Sequence, residues 1–184
     1  FWQANYNQLV NLFPEFKDVS VDELVNMINK TECALIRTEA DELTYPLHIM
    51  VRYEIEKEIA KGNVDYDKLP EVWADKYEEY LGVRPTNYKE GVLQDMHWST
   101  GYLGYFPTYA LGSAYAAQLY ATMEKQFDVE EALLTNHFEK ITNWLKENVH
   151  HYAASKSMAE IVEEVSGEPF NPDYYTDYLI KKYK

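Results

Sequence analysis

Arg37, Asp41, Thr44 and His48 recur every three or four positions, a spacing that could make them work together. On a continuous helix they would lie within about 60° of one another, with Leu43, Leu47 and Met50 on the far side. Two chemistries fit that arrangement. A pair four residues apart, Arg37 with Asp41, suits a solvated polar face and contributes only about 0.3 kcal/mol. Alternatively, the aspartate holds the arginine so that its planar guanidinium can fork onto a carboxylate ligand. A second group is Gly91-Val92-Leu93-Gln94-Asp95-Met96-His97-Trp98. There Asp95 could orient the His97 imidazole and fix which nitrogen carries the proton. The same residues also suit a buried polar knot that ties a loop to the core. A third is Gly101, Tyr102, Gly104, Tyr105, Phe106, Pro107, Thr108 and Tyr109. Glycines beside phenols suit a mobile loop, and a phenol aimed at a developing oxyanion stabilises it. Against that stands the aromatic content: with 17 tyrosines in the chain, these could simply fill a core. Tyr174, Tyr175, Tyr178 and Tyr183 are expected to do so.

Other chemistries lack their residues. No H-E-x-x-H occurs, so the usual helical zinc pair and its general-base glutamate are absent. A nucleophile elbow, a phosphate-binding loop and a dinucleotide fingerprint are also missing. A metal site assembled from His48, His97 and nearby carboxylates has neither spacing nor motif behind it. His150-His151 reads as an exposed helix end. Cys33, the single cysteine, excludes an internal disulfide and multi-cysteine zinc sites, and among its neighbours reads as a small core residue. It points to a reducing, cytoplasmic setting. The net charge of −14 argues against nucleic acid and anionic membranes. No apolar run reaches the roughly 18 residues of a membrane span.

The elements that must position these groups read as helices. Ser20 with Glu23, Asp128 with Glu131 and Ser157 with Glu160 have capping-box spacing. Pro70, Pro107 and Pro172 suit first turns, and Gly62, Gly82 and Gly167 suit the left-handed position past a helix end. Apolar residues recur with helical spacing at Phe1, Trp2, Tyr6, Leu9, Val10 and Phe13, at Leu24, Met27 and Ile28, and at Phe138, Ile141, Leu145 and Val149. The expectation is an all-α fold, a single multi-helix domain over residues 1–184. It includes a long helix from about Leu35 to Lys61 kinked at Pro46, and one very short strand pair around Tyr102–Tyr105. A helix from Pro107 to about Phe127, small or apolar on all sides at first, is expected to be a buried strut. The opening Phe1-Trp2-Gln3 reads as the start of a piece of a longer chain.

Two strings are specific. Ile36-Arg37-Thr38-Glu39-Ala40-Asp41 and Gly91 through Trp98 fit I-R-x-x-A-D and G-x-x-Q-D-x-H-W. With Asp41 through Pro46, Gly104 through Tyr109 and Ser166-Gly167-Glu168-Pro169 in the same order, the chain resembles the carboxypeptidase Taq family of zinc metallocarboxypeptidases. The match corresponds to roughly the last third of such an enzyme. The resemblance implies a helical, cytoplasmic, homodimeric enzyme that removes single residues from peptides with a free C-terminal carboxylate. Zinc and its ligands would lie outside this chain, in the missing N-terminal part, so the chain alone would be inactive. By the same resemblance Arg37 binds the terminal carboxylate, and His97 hydrogen-bonds the substrate or its tetrahedral intermediate. Gln94 and Asp95 shape that wall, and Tyr109, or alternatively Tyr105, donates to the oxyanion. The competing reading is a non-catalytic helical module that binds peptide C-termini or a partner protein.

Overall fold

The computed structural model describes all residues, Phe1–Lys184. Nine α-helices and short 3₁₀ turns make up the regular structure, and no strand forms. The chain divides into two compact units, one of residues 1–29 with 113–184 and one of residues 30–112.

The unit of residues 30–112 carries α3 (Tyr45–Ala60) and α4 (Leu69–Leu81). Val51, Ile55, Trp73, Tyr77 and Leu81 form its core, joined by Leu35, Leu47, Val92 and Trp98 from the flanking segments. The expected helix from Leu35 kinked at Pro46 does not form. Arg37–Glu39 is a 3₁₀ turn, and α3 begins only at Tyr45, with Pro46 in its first turn. A helix running through Pro46 would lose a hydrogen bond and meet the proline ring, at about 3 kcal/mol, whereas a first-turn proline lacks only an N–H that had no partner. Asp41 instead accepts from the Thr44 amide and hydroxyl at 2.9 and 3.0 Å. Nor do residues 102–105 pair as strands. Gly101 and Gly104 take positive φ there (84° and 79°), so the chain turns twice within four residues.

The other unit contains α1 (Trp2–Leu12), α2 (Val21–Ile28), α6 (Val129–Leu134), α7 (Phe138–Asn148), α8 (Met158–Ser166) and α9 (Asp173–Tyr183). Its core is Leu119, Met123, Val129, Trp144 and Val162. Capping boxes form at Ser20/Glu23 and Ser157/Glu160. At Asp128 only half the motif forms, with its side chain accepting from the Glu131 amide. A second carboxylate brought back onto Asp128 would meet like charge.

The unit boundary falls within α5 (Pro107–Glu124). This helix is not buried all round: Ala114, Ala117, Gln118, Thr122 and Met123 are buried, while Leu111, Gly112, Ser113 and Ala116 are exposed. Gln118 explains the closing motif. Its Nε2 donates to Ser166 Oγ and the Pro169 carbonyl at 3.0 and 3.1 Å, and its Oε1 accepts from the Asn171 amide at 2.9 Å. The C-terminal tyrosines are half-buried on α9 rather than core. Cys33 is exposed in a loop, and so are His150 and His151 in a 3₁₀ turn after α7.

Candidate functional site

Every residue singled out for chemistry lies in the unit of residues 30–112, but not in the expected combinations. Arg37 is buried (7% exposed), and the partner that holds it is Asp95, not Asp41. Its Nε and Nη2 donate to Asp95 Oδ1 at 3.1 and 2.7 Å, and Nη1 donates to the Tyr45 hydroxyl at 3.0 Å. The backbone N–H of Arg37 donates to Gln94 Oε1 at 3.0 Å. Aromatic rings enclose the guanidinium, with Tyr109 at 5.1 Å and Phe106 at 5.6 Å from its carbon. The shared helix face drawn for Arg37, Asp41, Thr44 and His48 therefore does not exist, because residues 37–44 form no continuous α-helix with α3.

Asp95 is not the partner of His97. Its second oxygen, Oδ2, accepts from Arg52 Nε at 2.6 Å, so one carboxylate bridges two guanidinium groups. Burial opposes the ionised form, but hydrogen bonds from Arg37 and the charge of Arg52 outweigh it and hold the carboxyl below its usual range. Gln94 is saturated: Oε1 accepts from Arg37 N–H and Arg52 Nη2, and Nε2 donates to the Leu35 and Glu90 carbonyls. Gln94 and Asp95 thus hold arginines in place.

Arg52 escaped the sequence reading. It sits in the apolar stretch Met50-Val51-Arg52-Tyr53, one turn after His48, and an unpaired arginine is not expected fully buried. The available signal was the arginine itself, set within that apolar stretch, since a buried arginine needs a partner.

His97 is held by aromatic groups. Its Nε2 lies 3.1 Å from the Tyr109 hydroxyl, and its ring centre is 4.3 Å from that of Phe106 and 5.9 Å from that of Tyr105. His97 Nδ1 is buried without a partner. Tyr105 is 46% exposed and touches Tyr109 edge-on at 5.4 Å. Glu56 on α3 anchors the loop between these groups, since its Oε1 accepts from Trp98 Nε1 and the Gly104 amide, both at 2.9 Å. A cavity of about 430 Å³ opens beside His97, lined also by Met96, Thr100, Tyr102 and Tyr105. The chain thus brings Arg37, Tyr109 and His97 into one contiguous set, with the Tyr109 ring against the arginine and its hydroxyl on the imidazole. No group of three His, Cys, Asp or Glu side chains is placed to hold a metal ion.

His48, fully buried, sets its ring nitrogen Nδ1 3.0 Å from the Tyr77 hydroxyl. Burial, then the charges of Arg52 and Arg37, push its pKa down to about 4. An unfolded histidine titrates near about 6.5, so the stability this neutral ring lends is complete above that pH and drains as pH falls toward the folded value. Between about pH 7 and pH 5 the expected loss is about 2 kcal/mol, read by chemical denaturation. His48→Gln should flatten that profile. An identical slope in the variant would remove His48 as its source.

The sequence profile of the carboxypeptidase Taq (M32) metallopeptidase family matches residues 1–183. Carboxypeptidase 1 of Bacillus subtilis is 46% identical over the whole chain, and thermostable carboxypeptidase 1 of Thermus thermophilus is 39% identical. The chain spans only 37% and 36% of the lengths of these two relatives. Among solved structures, the M32 carboxypeptidase from Deinococcus radiodurans superposes with a TM-score of 0.95 at 34% identity, over 99% of this chain and 37% of that one.

Proposed function

Because the chain belongs to the carboxypeptidase Taq (M32) metallopeptidase family, of which it represents a C-terminal portion, we propose that it supplies the substrate-anchoring wall of a metallocarboxypeptidase that removes single residues from peptide C-termini. The observation that carries this reading is the state of Arg37. It is buried, held along one edge by Asp95, and its three side-chain hydrogen bonds do not exhaust its donors. A guanidinium so oriented takes a carboxylate, and each such charge-assisted bond contributes about 1.5–3 kcal/mol. A peptide's free C-terminus is that carboxylate. His97 and Tyr109 lie beside it as the pair that would hydrogen-bond the scissile carbonyl and its oxyanion. Tyr109 is favoured over Tyr105 because its hydroxyl is already on the imidazole.

Gln94 and Asp95 act in this reading by positioning arginines, without touching substrate themselves. The residues present do not fit a metal, so the metal, which we take to be zinc, belongs to parts of the full-length enzyme outside this chain. The 184-residue chain alone is then inactive. A cytoplasmic setting, to which the lone cysteine is suited, and a homodimeric assembly complete the proposal.

The test is peptide hydrolysis by the full-length gene product. Stepwise loss of C-terminal residues is expected from free-acid peptides and not from the same peptides amidated, with activity abolished by a chelator and absent from the isolated chain. Equal cleavage of acid and amide would overturn the reading of Arg37.

A further inference from the structure

Arg52 is more completely enclosed than Arg37. Its side chain has no exposed surface, and each part of its fork is engaged: Nε by Asp95 Oδ2 at 2.6 Å, Nη2 by Gln94 Oε1 at 2.9 Å, and Nη1 by the His48 carbonyl and the Tyr77 hydroxyl at 2.7 and 3.0 Å. The guanidinium carbon lies 4.6 Å from the Trp73 ring centre. With its donors engaged on four groups, Arg52 has one available orientation. Asp95 and Gln94, which it fixes, are the same two groups that hold the Arg37 side chain and backbone. Asp95 is also the carboxylate that pairs with both guanidinium groups. One carboxylate is thus shared between two guanidinium groups, and of the two it is Arg37 that has donors to offer.

We infer that Arg52 is a positioning residue: by holding Asp95 and Gln94, and by sharing the charge of Asp95, it aims Arg37 at a peptide's terminal carboxylate and leaves it electrically free to bind one. The inference rests on the reading of Arg37 as the anchor. Without Arg52, both oxygens of Asp95 could turn onto Arg37 and neutralise it. The pair would then attract a substrate carboxylate far less. A purely structural ion pair behaves differently, since losing it lowers the amount of folded enzyme without changing which substrate the folded enzyme prefers.

The test uses the full-length enzyme, a peptide and its C-terminal amide, with folded enzyme measured by active-site titration or circular dichroism. Arg52→Gln is expected to raise KM for the free-acid peptide about tenfold with kcat within about twofold, and to lower the acid-over-amide preference by the same factor. Arg52→Lys, which restores the charge without the fork, should recover part of that preference. If Arg52→Gln does not fold, Arg52→Lys decides alone, by a drop in acid-over-amide preference of at least about threefold. A folded variant with unchanged preference, or with only less active enzyme, overturns the inference. Arg37→Ala measured alongside separates the two claims. If it too leaves the preference intact, the anchor reading itself fails. If it abolishes the preference while Arg52 variants keep it, only the role of Arg52 is lost.

Discussion

Arg37→Ala in the full-length enzyme is expected to lower kcat/KM for free-acid peptides by about 10²–10³-fold, because truncating one member of a shielded charge pair costs about 2–5 kcal/mol. Most of the loss should appear for the acid and little for the amide, which presents no charge to Arg37. The fold should survive. Asp95 keeps Arg52 as its partner, so the substitution does not strand a buried carboxylate. Arg37→Lys separates charge from shape. An ammonium keeps the attraction, yet it cannot lie along Asp95, reach Tyr45 and face a ligand carboxylate in one plane. Its expected loss is smaller, about tenfold. Steady-state kinetics on one peptide as acid and as amide decide the matter, and an Arg37→Ala enzyme that still prefers the acid refutes the anchor.

Helices, caps and stops were legible because they are local. The boxes at Ser20 and Ser157 and the left-handed glycines at Gly82 and Gly167 depend on residues within a turn of one another. That Arg37, His97 and Tyr109 belong to one cluster was legible by motif. How they are held was not, because their partners lie far along the chain. Arg37 looked matched to Asp41 four residues on, but Asp95, 58 residues away, holds it. Arg37 and Asp41 do not share a helix face, since Pro46 starts the helix rather than kinking it. Likewise Asp95 stands two residues from His97 and serves neither ring nitrogen. The exposed faces of α5 and α2 mark a different gap. Small or apolar residues such as Gly112, Ala116, Met27 and Ile28 show a capacity for contact, and a pattern read from one segment does not state whether anything in the chain meets it.

Asp95→Asn should produce the largest stability change, because it removes the one charge lying between two buried guanidinium groups. Breaking a buried pair by deleting one partner costs about 3–5 kcal/mol, as the remaining ion has neither water nor counter-charge. Here two ions are left, and the amide that replaces an oxygen points N–H donors at other donors. For a chain of this size that corresponds to a fall in melting temperature of roughly 10 °C. The penalty should also depend on pH. Held below its ordinary range, the folded Asp95 carboxyl lends stability that is complete above the unfolded value, about 3.9, and lost as pH falls through the lower folded one. The difference between parent and Asp95→Asn should therefore be constant from neutral pH down to about pH 4 and shrink only below it, where the carboxyl is protonated and amide and acid are nearly the same shape. The His48 contribution drains above that window, so the two are separable in one titration. An Asp95→Asn protein melting within about 2 °C of the parent at neutral pH would mean that the arginines do not need the carboxylate, and the knot would then lose its claim to hold Arg37 in place.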